Sequence, residues 1–167
     1  MTAVQVILGA VLLQRLVELW IARRNTERLL AGGAIEIAPE HYHYFIVLHA
    51  SWLAALVLLT PDEASPNLFW LLLFLVLQAG RVWAMVSLGR FWTTRILTLP
   101  DAPLVRTGPY RYLRHPNYLV ASGEIATLPL IFSHWEMALG FSGLNALLLW
   151  VRIRAENEAL AERQALN

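Results

Sequence analysis

Five apolar stretches separated by polar connections dominate the pattern of this 167-residue chain. A hydrocarbon core of roughly 30 Å takes about 20 helical residues to cross, so such stretches predict transmembrane helices. The predicted helices occupy residues 4–21, 43–59, 68–88 and 117–132, and a fifth begins near residue 137. The fourth is the shortest, so it and the fifth are expected to form a tight hairpin, tilted or partly re-entrant. Beyond residue 150 good helix formers continue to residue 163, which predicts that the fifth helix leaves the membrane.

Polar side chains interrupt two of these apolar stretches at a spacing of three residues. Arg15 and Glu18 share one face of the first helix, and Gln78 and Arg81 share one face of the third. A charged side chain at the bilayer centre costs about 2.5–3.5 kcal/mol on insertion scales. We therefore expect both pairs to face the interior of the bundle, where pairing between them explains their presence more simply than catalysis does.

Composition narrows the class of protein to an all-α, polytopic membrane protein. Hydrophobic residues make up 57% of the chain and charged residues 15%, well above the apolar share of soluble domains. A single domain over residues 1–167 leaves no room for a separate soluble nucleotide-binding fold, which takes about 100 residues or more. The chain also has no Gly-x-Gly-x-x-Gly motif after a strand pattern, so membrane helices and their loops would have to hold any cofactor.

The residue types also bear on metals and partners. The chain has no cysteine, which excludes disulfides, thiolate metal sites and a cysteine nucleophile. His41 and His43 do not share a helix face, so no metal is expected there. The expected partners are membrane lipids and a lipophilic small molecule, and no nucleic acid.

The distribution of arginine predicts the orientation in the membrane. All thirteen basic residues are arginine, and the connections predicted to be outside contain none. Eleven lie in three segments predicted to be inside, namely Arg23, Arg24, Arg28, Arg90, Arg95, Arg106, Arg111, Arg114, Arg152, Arg154 and Arg163. Because cytoplasmic segments carry the excess of basic residues, the N-terminus is expected outside and the C-terminus in the cytoplasm after five crossings.

The densest polar stretch is residues 108–119, Gly-Pro-Tyr-Arg-Tyr-Leu-Arg-His-Pro-Asn-Tyr-Leu. Pro109 and Pro116 fix φ and disfavour helix at the preceding residue, so the segment between them is a rigid connector. Pro116 also suits the first turn of the following helix, whose free N–H groups form an anion site. Physical chemistry alone allows two interpretations, a binding segment or a basic juxtamembrane loop with tyrosine anchors.

Two motifs in this order carry a family resemblance. The run Gly-x-Tyr-x-x-x-Arg-His-Pro-x-Tyr ends at Tyr118, and Arg154-x-x-x-Glu158 follows it. The pair resembles the isoprenylcysteine carboxyl methyltransferase family of integral membrane enzymes, which use S-adenosylmethionine. The resemblance covers about residues 88–167, which it implies to be the cofactor-binding part. Phospholipid methyltransferases and sterol-type reductases have similar chain endings.

The N-terminal part resembles the bacterial branch of the same family. The residues concerned are Arg24-Asn25, Gly32-Gly33 and His41-Tyr42. Some members of that branch resemble O-methyltransferases for long-chain alkylpyrones and alkylresorcinols.

The resemblance implies roles for individual residues. It assigns contact with the cofactor to Tyr110, His115, Pro116, Asn117, Tyr118 and Glu158, and closure over the pocket to the backbone of Ala102, Pro103, Leu104 and Val105. Arg154 matches the arginine that approaches the acceptor, and it is the expected catalytic residue. Arg154 and Glu158 share a helix face, and an exposed salt bridge is the alternative explanation for them. Glu156 is expected to point elsewhere, and Arg95 stands near the position of a cofactor-binding glutamine in eukaryotic members.

The chemistry of the acceptor stays open at this point. A carboxylate is ionised at neutral pH and would need only positioning by Arg154, whereas a phenol or enol would need a lowered pKa or a base such as His115. Two other functions also remain possible, a sterol-type reductase that uses NADPH and a membrane protein without catalytic activity.

Overall fold

The structure, a computed structural model, describes residues 1–39, 41–99, 102 and 105–165, without the side chains of residues 41 and 158–165. The helices are α1 (Ala3–Ala31), α2 (His41–Leu59), α3 (Leu68–Leu88), α4 (Pro116–Ile131) and α5 (Trp135–Ala165). Short 3-10 turns cover Gly89–Phe91 and Gly108–Arg111. Strands β1 (Ile35–Glu36) and β2 (Leu97–Thr98) form one antiparallel pair. The all-α prediction is thereby confirmed.

Four of these helices are long and apolar enough to cross a membrane, namely α1, α2, α3 and α5. The protein is therefore an integral membrane protein. The predicted count of five crossings is approximate, because α4 has only 16 residues and carries Pro129 in its last turn. Helix α4 lies between α3 and α5 and is largely buried, so neighbouring helices cover most of its surface.

Glycines allow α3 and α4 to pack closely. A Cβ on Gly123 would lie 2.9 Å from the Leu77 side chain, and one on Gly80 would lie 3.4 Å from that of Val120. Small residues at a helix interface let two backbones approach closely. The van der Waals contacts that result hold the helices together in lipid, where no hydrophobic driving force acts between them.

Helix α1 continues ten residues beyond its predicted apolar stretch. Residues 22–31 include alanine, arginine, glutamate and leucine, all good helix formers, so leaving the apolar stretch does not end the helix. It stops at Gly32, whose backbone N–H lies 3.1 Å from the carbonyl oxygens of Arg28 and Leu29.

Contacts between connections define two ends of the bundle. At one end, Gln5 donates to Asp62 over 3.2 Å, and Thr60 Oγ1 lies 3.1 Å from His134 Nε2. At the opposite end, β1 pairs with β2, and Asn25 Nδ2 donates to the carbonyl oxygen of Trp92 over 2.9 Å. We call this second end the arginine-rich end, because the segments that the sequence predicts to be inside meet there.

An ionic network lies inside the bundle and joins α1, α3 and α4. Glu124, only 1% exposed, accepts from Arg15 Nη2 and Arg81 Nε, each over 2.7 Å, and again from Arg81 Nη2. Glu18 accepts from Arg15 Nη1 over 2.7 Å and from Arg81 Nη1 over 3.3 Å. The prediction that these side chains face the interior is confirmed. Two positive and two negative charges cancel within the network.

Two glutamines complete this network. Gln78 donates to Glu124 over 2.8 Å, and Gln14 donates to Glu18 over 2.8 Å. Gln14 Nε2 also lies 2.6 Å from Gln78 Oε1. Their amide groups donate to carboxylate lone pairs that the arginines leave free. A buried ion pair needs such additional hydrogen bonds to offset its lost hydration.

Candidate functional site

The motif segment begins with a turn that packs tightly against α3. Gly108 has φ +57°, and a Cβ there would lie 2.0 Å from Ser87 Oγ and 3.1 Å from Trp83 Nε1. Both the positive φ and the lack of space favour glycine. The next residue, Pro109, is buried at the start of the 3-10 turn. The turn therefore fixes the start of the motif on the last turns of α3.

Tyr110 anchors the turn to a small apolar cluster. Its ring packs against the buried cluster of Ala22, Ala84 and Trp92. Burial raises the pKa of the Tyr110 hydroxyl well above its usual range, and the nearby Glu156 carboxylate raises it further. Tyr110 is therefore protonated at neutral pH and can act as a hydrogen-bond donor.

The second part of the motif forms the N-terminus of α4. Pro116 occupies the first helical turn, as its missing N–H predicts, and the Tyr118 N–H donates to the His115 carbonyl oxygen over 3.1 Å. The His115 and Tyr118 rings stack with centroids 5.2 Å apart and planes inclined by 13°. The two rings form one aromatic stack whose outer surface lies at the arginine-rich end.

One face of α5 binds this surface through three polar side chains. Arg152, only 7% exposed, donates from Nε to the Tyr118 hydroxyl over 2.9 Å. Tyr118 in turn donates to Glu156 over 2.5 Å. Glu156 also lies 3.7 Å from His115 Nδ1, and Asn157 Oδ1 lies 3.3 Å from His115 Nε2. His115 and Tyr118 of the first motif thus join Arg152, Glu156 and Asn157 of α5 in one hydrogen-bonded cluster.

Arg152 extends the cluster to two further elements. Its Nη2 donates to the Thr94 carbonyl oxygen over 2.7 Å, and its guanidinium lies 5.0 Å from the centre of the Phe45 ring in α2. This one side chain therefore links α2, the connection after α3, α4 and α5. Such a buried arginine is held by hydrogen bonds and aromatic faces, which compensate for its lost hydration.

Glu156 was predicted to point away from the face of Arg154 and Glu158 and to be a weaker candidate for the site. It does point away from Arg154, but it contacts both rings of the motif, so its low rank was wrong. No role was predicted for Arg152. The spacing Arg152-x-x-x-Glu156 equals that of Arg154-x-x-x-Glu158, so periodicity alone could not decide which face of α5 meets α4. The sequence did contain a signal for Arg152 and Glu156, because their spacing makes them as good a pair as Arg154 and Glu158 in the same helix.

Arg154 lies on the exposed side of α5. Its guanidinium stacks over the Trp150 ring, 4.0 Å from the ring centre, instead of contacting the motif segment. The side chain of Glu158 lies outside the described residues, and so do Pro103 and Leu104. Ala102 and Val105 are half-buried in the connection that precedes the motif.

Asn117, in the first turn of α4, carries an acceptor without a partner. Its Oδ1 atom is buried and has no hydrogen-bond partner among the described residues. A buried polar atom usually has a partner, so an unpartnered atom in this segment is consistent with a site that receives a polar ligand. No group of three or more His, Asp or Glu side chains in the described part of the chain is arranged to hold a metal ion.

The fold and this cluster define a polytopic membrane protein with a polar aromatic site at one end of its helices. The chain belongs to the isoprenylcysteine carboxyl methyltransferase family, whose model matches residues 70–162. It is accordingly a membrane protein of a methyltransferase family, and the resemblance drawn from the two motifs is confirmed.

Two bacterial relatives align along nearly the whole chain. Uncharacterized protein YpbQ of Bacillus subtilis (strain 168) is 39% identical over 160 residues, covering 93% of this chain and 95% of the relative. An uncharacterized protein of Haemophilus influenzae is 26% identical over 166 residues, covering 96% of each. No solved structure matches the chain.

Proposed function

We propose that the protein transfers a methyl group from S-adenosylmethionine to a lipophilic acceptor. The observation that carries this proposal is the hydrogen-bonded cluster of His115, Tyr118, Arg152 and Glu156, which joins the first family motif to the part of α5 that carries the second. A family of membrane methyltransferases needs a cofactor site outside any soluble nucleotide-binding fold, and this cluster is suited to that purpose.

The residues of the site fit the polar and aromatic groups of this cofactor. The unpartnered Asn117 Oδ1 can accept from a ribose hydroxyl or an ammonium group, and the protonated Tyr110 hydroxyl can donate. The stacked rings of His115 and Tyr118 offer a face for an adenine. The Asn117 N–H, which donates to no backbone carbonyl in the described part of the chain, suits a carboxylate at the positive end of α4. Glu158 and the backbone of residues 102–105 are proposed to complete the pocket.

When bound, S-adenosylmethionine supplies an electrophilic methyl group on a sulfonium. The chain itself has to hold donor and acceptor in contact and to exclude water. Arg152 and Glu156 fix the Tyr118 hydroxyl from two sides, which keeps the aromatic wall of the site in one orientation. Arg154, on the exposed side of α5, is proposed to meet the acceptor as it arrives from the membrane.

The acceptor is proposed to be an isoprenylcysteine-type carboxylate or an alkylpyrone- or alkylresorcinol-type hydroxyl. A carboxylate is already ionised at neutral pH, so positioning by Arg154 suffices. A hydroxyl acceptor would need a base, and His115 is the candidate in the site. The site is proposed to face the cytoplasm, because eleven of the thirteen arginines belong to the segments of this end.

Calorimetry with S-adenosylhomocysteine tests the proposal on the detergent-purified protein. We expect saturable binding, with NADPH giving no heat at the same concentration. Binding of NADPH alone would favour a reductase, and no binding of either compound would indicate a membrane protein without this activity. Transfer of labelled methyl groups to a lipid extract then identifies the acceptor.

A further inference from the structure

A cleft opens at the arginine-rich end, next to the hydrogen-bonded cluster of His115, Tyr118, Arg152 and Glu156, here called the motif cluster. This cleft has a volume of about 460 Å³. It is lined by Leu19, Arg23, Thr26, Glu27, Leu30, Tyr42, Thr94 and Arg95. Its volume falls within the roughly 300–1,000 Å³ of small-molecule sites. Six of its eight lining residues lie before residue 70, outside the part of the chain that the family model matches.

Arg95 is held in a fixed position at the wall of the cleft. Its Nη1 donates to Glu36 over 2.8 Å, and its guanidinium lies 5.0 Å from the centre of the Tyr42 ring. Glu36 belongs to β1, which pairs with β2, and β2 begins two residues after Arg95. One guanidinium edge is thus bound while the side chain stays 39% exposed, which leaves donors for an anionic group.

The other walls combine a second cation with apolar side chains. Arg23 pairs with Glu27 over 3.0 Å, but both side chains are largely exposed, so this pair is weak and can be rearranged. Leu19 and Leu30 are 47% and 42% exposed, so an apolar chain can lie along α1 from the cleft toward the lipid. The cleft therefore suits a molecule with a charged head and a long apolar tail.

Thr94, in the wall of the cleft, links it to the motif cluster by one hydrogen bond. Thr94 Oγ1 donates to the Tyr42 hydroxyl over 3.1 Å inside the cleft wall, and the Thr94 carbonyl oxygen accepts from Arg152 over 2.7 Å. Arg152 also donates to Tyr118. The side chain of Arg152 thus lies between the cleft and the rings proposed to hold the cofactor.

We infer that this cleft binds the head group of an anionic amphiphile, with Arg95 as its main ligand. Its identification with the methyl acceptor rests on the proposed function, because the link through Arg152 matters only if methyl transfer takes place at the motif cluster. The same chemistry could come from a bulk anionic phospholipid, so the test has to separate these two sources.

The first experiment measures binding of a labelled long-chain alkyl carboxylate and of the matching primary amide. The full-length protein is reconstituted in phosphatidylcholine nanodiscs, with empty nanodiscs as the blank. The wild type should bind the carboxylate at least about tenfold more tightly than the amide, since a charge-assisted hydrogen bond discriminates by that factor. Equal affinity for both compounds would overturn the inference.

Two matched pairs of variants locate the binding. Arg95→Gln should remove the preference for the carboxylate, whereas Arg90→Gln, in the turn after α3, should retain it. Leu30→Trp should fill the cleft and weaken both compounds, whereas Leu12→Trp, on an exposed side of the same helix, should not. Equal losses within either pair would overturn the inference, and the second pair decides if Arg95→Gln does not fold.

Two further measurements distinguish bulk phospholipid from the methyl acceptor as the source of the anionic head group. They also distinguish a failure of the cleft proposal from a failure of the proposed methyl transfer. Phosphatidylglycerol added to the nanodiscs should not displace the carboxylate, and displacement would assign the cleft to bulk lipid. S-adenosylhomocysteine affinity should be unchanged in Arg95→Gln, and a matching loss would assign Arg95 to the cofactor. If the wild type binds the carboxylate but no S-adenosylhomocysteine, the proposed function fails and the cleft remains an anionic amphiphile site.

Discussion

The hydroxyl of Tyr118 connects the first motif to α5 through a single atom. It accepts from Arg152 and donates to Glu156, a double role that a neutral phenol can perform and a phenolate cannot. Removing the hydroxyl leaves both partners short of one hydrogen bond in a place with little water. The consequences should therefore exceed those of losing an exposed tyrosine hydroxyl.

Tyr118→Phe is expected to weaken S-adenosylhomocysteine binding by about tenfold, corresponding to about 1.4 kcal/mol, while the protein stays folded. Tyr112→Phe is the matched control, because Tyr112 belongs to the same segment and is 73% exposed. Calorimetry on both variants, with thermal unfolding as a check of the fold, measures the difference. Unchanged binding in Tyr118→Phe would return the segment to the role of a membrane anchor.

Arg154 and Glu158 allow a test of the division of labour on α5. If Arg154 orients the acceptor, Arg154→Lys loses the planar fork and should lower turnover about tenfold with cofactor affinity nearly unchanged. If Glu158 holds the cofactor, Glu158→Gln should lower cofactor affinity. A cofactor titration and a methyl-transfer rate on each variant decide, with Arg90→Lys as control. Equally mild effects in all four measurements would contradict both assignments.

At the scale of elements, the turn at Gly108 determines where the motif lies on α3. Its φ is +57°, and a Cβ added there would lie only 2.0 Å from Ser87 Oγ, so any side chain displaces the turn. The left-handed conformation alone costs a non-glycine residue about 1–2 kcal/mol. Displacement would move Tyr110 away from the apolar cluster formed by Ala22, Ala84 and Trp92.

Gly108→Ala should therefore lower stability by about 2 kcal/mol or more, from backbone strain together with the collision at Ser87. Gly140→Ala is the control, because nothing lies within 4 Å of its added Cβ and alanine favours a helix. Unfolding in mixed micelles measures both variants. A Gly108→Ala protein as stable as the control would contradict the close packing of this turn.

Helices were the most predictable feature of this protein, and contacts between them the least. The third helix was predicted over residues 68–88 and occurs as Leu68–Leu88, because Asn67 and Gly89 bound an uninterrupted apolar stretch. The side of α5 that faces α4 was not predictable, because Glu156 follows Arg152 at the same four-residue spacing at which Glu158 follows Arg154. The pairing of β1 with β2 was also missed, because two-residue strands leave no alternating pattern.

At the scale of the whole molecule, the ionic network holds three helices in one register. Glu124 receives hydrogen bonds from α1 and α3 while belonging to α4, so no two of these helices can shift without breaking an ion pair. A buried network of this kind adds little net stability compared with apolar packing, but loss of one partner leaves an uncompensated charge. Its role in the fold is therefore specificity.

Glu124→Gln should cost about 3–5 kcal/mol of the free energy of unfolding, because two buried arginines lose a carboxylate partner. Glu27→Gln removes the partner of Arg23, which is 83% exposed, and should cost under about 1 kcal/mol. Denaturant titration of both variants in the same detergent gives the comparison. Similar small losses would mean that water or lipid head groups reach the network.

Orientation is the remaining property of the whole molecule, and the two ends of the bundle make it testable. Asp62 lies at the end where Gln5 contacts it, and no arginine belongs to the connections of that end. The opposite end carries the arginines, so the positive-inside rule predicts that it faces the cytoplasm. A reporter fused after Asn167 should be cytoplasmic, and one inserted beside Asp62 should be outside. Both reporters on the same side would contradict this topology, and an inverted result would contradict a cytoplasmic methyl-transfer site while leaving the arrangement of the helices unaffected.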